Sequence, residues 1–208
     1  MFSENDKPDT CACGGGSGFL SLRPFKESDA FKLAEWIRDR DTYFMLGGPH
    51  LAPYPVSAEE IIGKYFRENG GCAEADNFYP MTATENGEPV GQLIVRYTGG
   101  DRRKLRFGWV VVDGRKRGRG YGREMLGLGL VFAFEVMGAS LVTIGVFEEN
   151  MRAYRCYVSA GFRANPDAQV KTETVDGKEQ KIIELVITRE EYNRRKTKIR
   201  AESMNRMT

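Results

Sequence analysis

Runs of hydrophobic residues separated by tight turns divide the middle of the chain into strands. Phe78–Thr84 and Pro89–Thr98 flank Asn86-Gly87, a dipeptide typical of β-hairpins. A glycine turn at 99–101 leads into Leu105–Val112, whose nearly continuous apolar end is typical of a buried central strand. The pattern therefore predicts three strands in meander order.

Hydrophobic residues at helical spacing predict two helices before this meander. Ser28 is a candidate N-cap for a helix whose apolar positions are Phe31, Leu33, Ala34 and Ile37. A second helix begins at Ser57, which forms a capping box with Glu60, and ends near residues 69–71. The intervening residues 46–56 are rich in glycine and proline, so we expect an irregular loop there.

Helices and strands alternate in the second half of the chain, as expected for a mixed α/β fold. The pattern predicts a broadly apolar helix at 122–138, a β-branched strand at 141–147, a helix at 150–159 closed by Gly161, and a hairpin of Val170–Thr174 with Ile182–Thr188. The apolar helix should be buried against a sheet, because hydrophobic residues cover most of its surface.

The length of 208 residues suits one domain with a substantial core. Residues 1–18 end in a cysteine- and glycine-rich run, which predicts a flexible N-terminal segment. A short strand at Phe19–Pro24 then begins the domain, which we place at 19–188. Residues 189–208 form a charged C-terminal tail.

Charged residues balance overall, with 31 Lys and Arg against 29 Asp and Glu. A net charge of +2 argues against a dedicated nucleic-acid binder, which usually carries a clearer positive excess. Locally, however, five basic residues crowd one short segment: Arg115, Lys116, Arg117, Arg119 and Arg123. Such a cluster beside glycines indicates a phosphate ligand of limited size.

Cysteine usage and the chain start indicate a cytoplasmic protein with reduced thiols. Cys11 and Cys13 are too close for an ordinary disulfide, and Cys72 and Cys156 offer no spacing typical of zinc ligands. We therefore expect no metal. The first residues lack the pattern of a signal peptide, and the longest apolar stretch is too short to span a membrane.

The segment from Val110 to Arg123 is predicted to form a strand, a glycine-rich loop and the start of a helix. Of all segments in the sequence, it indicates a ligand-binding site most clearly. A helix start offers unpaired N–H groups and a positive dipole end, and glycine lets a diphosphate approach the backbone. The spacing fits neither a Walker loop nor a GxGxxG dinucleotide loop. The remaining pattern is Arg117-x-x-Gly120-x-Gly122.

Two motifs in this order resemble the GNAT superfamily of N-acetyltransferases. The first is the loop Arg117–Gly122, and the second is the run of Asn150, Ala153, Tyr157 and Gly161-Phe162. The resemblance covers residues 19–188 and is strongest over 105–163. In addition, Leu22-Arg23-Pro24 and Asp29 resemble the branch that includes ribosomal-protein N-terminal acetyltransferases.

The resemblance implies an α/β (α+β) fold with a mixed, mostly antiparallel sheet of six to seven strands. Two strands of this sheet splay apart in a V, helices cover both faces, and acetyl-CoA enters the gap. The implied cofactor-binding residues are Val110, Val111 and Val112 through their backbone, Arg117, Gly118, Arg119, Gly120, Tyr121, Gly122 and Arg123 around the pyrophosphate, and Asn150 at the pantetheine arm. Asn150 is also suited to be an ordinary N-cap of the next helix.

Tyr157 is the candidate catalytic residue by the same resemblance, although its position also suits an ordinary core side chain. A phenol, with a pKa of about 10, is protonated at neutral pH and can donate to the departing CoA thiolate. Relatives with a glutamate base place it on the strand before the glycine loop, around Leu105–Phe107, or at the position of Gly145, so the base stays unassigned. Glu74, Asp76, Glu148 and Glu149 are other candidates, although each also suits a solvated surface charge. His50, in the glycine- and proline-rich loop, is a candidate for a role in acceptor binding or for a structural role.

Three hypotheses follow for the function. The first is transfer of the acetyl group of acetyl-CoA to a primary amine, on a small molecule or a protein N-terminus. The second is a non-enzymatic module that binds RNA or ribosomes through its basic loop and tail. The third is an acyltransferase that uses a longer acyl-CoA. The sequence leaves the amine acceptor open, and the chain could act as a monomer or a homodimer.

Overall fold

The computed structural model describes residues 19–205. Within them the strands are β1 Leu20–Pro24, β2 Tyr79–Glu85, β3 Glu88–Thr98, β4 Asp101–Val112, β5 Leu141–Phe147, β6 Arg163–Ala164, β7 Lys171–Val175 and β8 Lys178–Thr188. The α-helices are α1 Asp29–Trp36, α2 Arg40–Met45, α3 Ala58–Ile62, α4 Tyr121–Val131, α5 Met151–Ala160 and α6 Arg189–Asn205.

The strands described form one eight-stranded sheet in the order β1-β2-β3-β4-β5-β8-β6, and β7 pairs with β8. The predicted meander and both predicted hairpins are confirmed. The eighth strand, β6, is an addition to the expected six or seven. Its two residues pair with Val186 and Leu185, and a segment so short leaves no periodic signal in the sequence.

The centre of the sheet has the expected V-shaped splay. Strands β4 and β5 run parallel and pair from Lys104 to Phe107, whereas every other strand pair is antiparallel. Beyond Phe107 the register between β4 and β5 ends, although β5 continues to pair with β8 as far as Phe147. The last five residues of β4 therefore separate from β5.

Two hydrophobic cores cover the two faces of the sheet, as predicted for helices on both sides. The first core packs α4 and α5 against the sheet and contains Leu93, Phe107 and Leu126. The second packs α1 and α3 against the opposite face and contains Leu33 and Ile94. Adjacent residues of β3 enter different cores, because successive side chains of a strand point to opposite faces.

Helix starts followed the sequence prediction at one position and departed from it at another. Ser57 and Glu60 form the predicted capping box. Ser28 precedes α1, but its side chain makes no capping hydrogen bond, and Phe31 is 61% exposed rather than packed. Instead, the Asp29 carboxylate accepts a hydrogen bond from the Lys26 N–H at 2.9 Å and forms a salt bridge with Arg23.

Residues 189–205 of the predicted charged tail form α6. The first turns of α6 pack against Phe134, which follows α4. The Tyr192 ring stacks on Phe134 at 4.7 Å between centroids, and the Arg189 guanidinium donates to the Phe134 carbonyl at 2.6 Å. The predicted flexible segment 1–18, with Cys11 and Cys13, lies outside the described residues, whereas Cys72 and Cys156 are free thiols.

Candidate active site

A β-bulge separates the two halves of β4. The register between β3 and β4 shifts between Gln92 and Ile94, and Trp109 has a φ of 42°. The Gln92 side-chain amide donates to the Trp109 carbonyl at 3.0 Å, while its oxygen accepts from the Tyr65 hydroxyl at 2.8 Å. This buried network stabilises the extra residue that the bulge introduces.

The bulge reverses which face of the sheet the side chains of β4 enter. Leu105 and Phe107 belong to the α4–α5 core, whereas Trp109 and Val111 belong to the opposite core. An inserted residue has this effect because the side-chain period of a strand is two. Past Phe107 the edge of β4 no longer pairs with β5, so its backbone polar groups at 110–112 can serve a ligand.

Two carboxylates hold the glycine loop after β4 in place, one from the loop itself and one from β2. The buried Asp113 carboxylate accepts from the Arg115 backbone N–H at 3.0 Å and from its guanidinium at 2.9 Å. These hydrogen bonds lower the pKa of Asp113. On the other side, Glu85 accepts from the Tyr121 hydroxyl at 2.6 Å and from Lys116 at 3.3 Å.

The start of α4 presents open space in front of two glycines. Gly118 has a φ of 81° and Gly120 a φ of 89°, both left-handed conformations that favour glycine. A Cβ atom at either position would meet no atom of the described residues within 4 Å. Gly120 is the N-cap of α4, and no described side chain caps this end. The first N–H groups of the helix therefore point to a region that a ligand can fill.

Helix α5 forms the opposite wall. Asn150 is its N-cap, and its side-chain oxygen accepts from the Ala153 N–H at 3.1 Å. Because the oxygen serves the cap, the amide NH2 group of Asn150 is the part that can serve a ligand. Burial raises the pKa of Tyr157 and of the Cys156 thiol. Among the described residues, none hydrogen-bonds to the Tyr157 hydroxyl.

One cleft of about 660 Å³ brings the glycine loop, the splayed end of β4 and α5 together. Every predicted site residue lines it except Arg119, which is exposed beside it. The residues from the sequence prediction that line the cleft are Val110, Val111, Val112, Arg117, Gly118, Gly120, Tyr121, Gly122, Arg123, Asn150 and Tyr157.

Two arginines of the cleft face a common region. The pKa of Arg117 is lowered by burial and by the charge of Arg152, which also lines the cleft. Arg117 donates long hydrogen bonds to the Val112 carbonyl (3.4 Å) and the Thr42 hydroxyl (3.3 Å). Two positive charges held near each other favour an anion between them.

The sequence prediction missed the wall formed by α2. Asp39, Thr42 and Met45 line the cleft, and Asp39 caps the helix by accepting the Thr42 N–H at 2.8 Å. The spacing of Asp39 and Thr42 was a usable signal for this helix start. Arg152 was missed as well, since no motif distinguishes it from a solvated helix charge.

The candidate bases from the sequence, and His50, lie outside the lining of this cleft. Glu149 accepts from Gln180 at 3.0 Å, Glu148 lies 3.8 Å from Lys181, and His50 contacts Glu173 at 2.5 Å. Glu74 accepts from Asn77 at 3.0 Å. The carbonyl of Asp76 accepts from the Tyr79 hydroxyl at 2.6 Å.

Gly145 leaves room for an ion pair on the neighbouring strands. A Cβ atom at this position would lie 2.6 Å from the Arg106 guanidinium and 3.4 Å from Glu184. Arg106 forms a bidentate salt bridge with Glu184 at 2.6 and 2.9 Å. A carboxylate therefore occupies this region, but it comes from β8.

The part of the chain that the structure describes contains no cluster of three or more side chains suited to a metal ion. Nor does any helix between residues 19 and 205 have the length and apolarity that a membrane crossing requires.

Comparison with known proteins agrees with this architecture. The structure of spermidine N-acetyltransferase from Vibrio cholerae with CoA and spermine superposes with a TM-score of 0.69, at 17% identity, over 83% of this chain and 97% of that chain. Aminoglycoside acetyltransferase AAC(6')-Ib with coenzyme A gives 0.65, at 20% identity, over 85% and 98%. No curated protein sequence matches the chain significantly.

The splayed sheet and the glycine loop define the fold as that of an acyl-CoA N-acyltransferase. Residues 20–163 match the family model described as acetyltransferase (GNAT) domain. The chain belongs to this family.

Proposed function

We propose that the protein transfers the acetyl group of acetyl-CoA to a primary amine. The observation that carries this proposal is the single cleft that begins at an uncapped, open glycine loop and reaches a buried tyrosine. A diphosphate fits the first end, because N–H groups, a helix dipole and Arg117 converge there. A thioester fits the second, because Tyr157 presents a hydroxyl that no described residue engages.

The pantetheine arm joins the two ends along β4. Its amide groups can pair with the backbone of Val110 and Val112, which β5 does not engage, in the manner of an added strand. The Asn150 amide can donate to the same arm. Arg152 lies across the cleft from the glycine loop and supplies a second cation for the phosphates.

The reaction is direct attack of the neutral amine on the thioester carbonyl. The C–N bond forms as the C–S bond breaks, and the Tyr157 hydroxyl donates to the departing sulfur as general acid. Because burial raises the pKa of Tyr157, the phenol is fully protonated at physiological pH. A thiol is more acidic than a phenol, so the proton that the attacking nitrogen loses as it becomes the amide nitrogen must restore the phenol.

Polyamines and aminoglycosides are the first acceptors to test. Spermidine N-acetyltransferase and an aminoglycoside acetyltransferase share the fold. A protein N-terminus is the third class of acceptor to test. Acetyl-CoA is the proposed donor. The free thiols of Cys72 and Cys156 are consistent with the cytoplasm as the proposed location.

Calorimetry with CoA tests the proposal directly. The Gly120→Glu variant should bind CoA at least about thirtyfold more weakly, because a carboxylate and its side chain would occupy the open space meant for phosphate. Gly120→Ala adds a Cβ atom to a residue in a left-handed conformation, and its affinity for CoA should fall a few-fold.

Gly127→Ala is the matched control. Gly127 lies in α4 with open space around its Cβ position and no left-handed φ, so this variant should bind CoA like the wild type. The proposal fails if the wild type binds neither CoA nor acetyl-CoA, or if Gly120→Glu and Gly127→Ala bind equally well.

A further inference from the structure

The first turns of α6 are fastened to the segment that follows α4. The Arg189 guanidinium donates to the carbonyls of Phe134 and Ala139, at 2.6 and 2.9 Å. Tyr192, one turn further along α6, is buried and stacks on the Phe134 ring. This end of α6 is therefore held against the helical segment that begins at the glycine loop.

The middle of α6 is fastened to the end of α5. The Arg195 guanidinium donates to the Ser159 carbonyl at 2.5 Å, and Arg163, just after α5, forms a salt bridge with Glu191. Gly161 ends α5 with a φ of 114°, and a Cβ atom there would lie 3.1 Å from the Arg195 Cδ and 3.3 Å from its Cζ. The Arg195 side chain therefore lies directly against the end of α5.

Arg195 engages a carbonyl that α5 leaves free at its end. The last four carbonyls of an α-helix have no partner within the helix. In α5, the carbonyls of Tyr157 and Val158 accept the N–H groups of residues 161–162, at 3.1 and 3.0 Å. The Ser159 carbonyl accepts from Arg195 instead. A cation at this place also faces the negative end of the helix dipole, so Arg195 completes the C-terminal cap.

The capped turn of α5 is the turn that holds the proposed general acid. Tyr157 lies two residues before Ser159, and both residues line the cleft. The Tyr157 side chain is buried, and no described residue hydrogen-bonds to its hydroxyl. The position of this hydroxyl therefore depends on where the last turn of α5 lies. A displacement of about 1 Å in a reacting group can cost up to about 100-fold in rate.

We propose that Arg195 is a positioning residue, which caps α5 and thereby holds the Tyr157 hydroxyl at the sulfur of bound acetyl-CoA. The proposal rests on the acyl transfer and the general acid proposed above. Helix α6 supplies the fixed support, because its first turns are anchored to the segment after α4. Part of the basic C-terminal tail thus acts on the reaction from outside the cleft.

Three variants isolate the cap. Arg195→Ala removes it, whereas Arg195→Lys keeps the charge at the helix end with a single donor group. Arg194→Ala is the matched control, because Arg194 is the preceding residue of α6, is exposed and makes no hydrogen bond or ion pair with the described residues. The two alanine variants change the net charge equally.

Steady-state kinetics should show a loss in kcat alone. With acetyl-CoA and spermidine, kanamycin or trialanine as acceptor, Arg195→Ala should release thiol with a kcat about tenfold lower, because the hydroxyl is present but displaced. Calorimetry should show CoA affinity within about twofold of the wild type, since the glycine loop is unchanged. Arg195→Lys should recover about threefold of the lost kcat, and Arg194→Ala should match the wild type.

A double-mutant cycle with Tyr157→Phe separates positioning from a general loss of stability. Once the hydroxyl is absent, its placement no longer matters, so adding Arg195→Ala should lower kcat by less than about twofold. A purely structural role would lower kcat about tenfold in both backgrounds, because it would act on the folded fraction.

Hydrogen–deuterium exchange measures the cap itself. Exchange within 157–163 should be at least about threefold faster in Arg195→Ala than in Arg194→Ala, because the last turn of α5 opens more often without its cap.

The positioning role is overturned if Arg195→Ala keeps the wild-type kcat, if its loss persists beside Tyr157→Phe, or if the two alanine variants exchange equally. A wild type that binds CoA but releases no thiol with any of the three amines also overturns it. A wild type that binds no CoA refutes the acetyltransferase itself, and the exchange comparison then still decides whether Arg195 caps α5.

Discussion

Tyr157 combines two properties that an ordinary core residue does not need. Its side chain is 7% exposed, yet it lines the cleft, and no described residue pairs with its hydroxyl. Tyr154 lies on the same helix, half-buried, and packs against the same core. Of these two tyrosines, Tyr157 is the one suited to the proposed role as general acid, and Tyr154 is suited to packing.

Tyr157→Phe should reduce kcat for thiol release by about 100-fold, a typical loss for a missing general acid, and leave CoA affinity within about twofold. Tyr154→Phe should keep both values. Because burial raises the pKa of Tyr157, the wild-type kcat should rise as the amine deprotonates and show no fall up to about pH 9.5. Equal kcat values for the two variants would exclude the proposed acid.

At this scale, motif residues were predictable and their cross-chain partners were not. Gly118 and Gly120 lie within one short glycine-rich segment, and Tyr157 lies in a short motif of the family that the sequence resembles. Arg152 and Thr42 reach the cleft from helices whose distance to the loop depends on the whole fold, and no local pattern encodes that distance.

At the scale of elements, the glycine loop derives its shape from carboxylates that lie outside the proposed phosphate site. Asp113 fixes its first turn, and Glu85 on β2 holds Lys116 and Tyr121. Because the hydrogen bond and charge of Arg115 lower the pKa of Asp113, this stabilisation exists above the unfolded-state pKa of about 4. It is lost as the pH falls through the lower, folded-state pKa.

Asp113→Asn should lower the free energy of unfolding by about 1–2 kcal/mol at pH 7, because charge-assisted hydrogen bonds are lost while Arg115 stays largely solvated. Urea unfolding should show that the difference from the wild type shrinks below pH 4. Asp101→Asn, at an exposed turn, is the control and should cost less than about 0.5 kcal/mol. A difference independent of pH would contradict the assigned ion pair.

Element prediction succeeded where a pattern was long or a cap was complete. The meander, the buried helix and the capping box at Ser57 have such signals. The misses are six-residue α2 and two-residue β6, together with the capping role of Ser28. Strand β6 depends on its pairing with β8, and the place of a Ser28 cap is taken by contacts of Asp29, whose carboxylate accepts from the Thr82 hydroxyl at 2.8 Å. Helix α2 is too short for periodicity to predict it, although Asp39 caps its start.

At the scale of the whole molecule, one ion pair lies where the arms of the V separate. Arg106 is one of the four β4 residues, at 104–107, that pair with β5. Its partner Glu184 is buried on β8. Gly145 provides the space for both groups. The pair links β4 and β8 across β5 at the point where the splay begins.

Glu184→Gln should lower the free energy of unfolding by about 2–3 kcal/mol, because it leaves a mostly buried guanidinium without its carboxylate. Glu135→Gln removes the exposed pair with Lys196, so it should change the free energy of unfolding much less and serves as the control. Arg106→Met/Glu184→Leu should recover much of the loss. Chemical denaturation of all four proteins distinguishes these outcomes, and similar values for the two Gln variants would contradict the structural role.

The reversal of side-chain direction at Trp109 also constrains how this strand can change over evolutionary time. Phe107 before it packs in the α4–α5 core and Val111 after it packs in the α1–α3 core, so a substitution at one needs no compensation at the other. A single-residue deletion within 108–110 would instead exchange inward and outward positions along 111–112. The length of this segment is thus under tighter constraint than its composition.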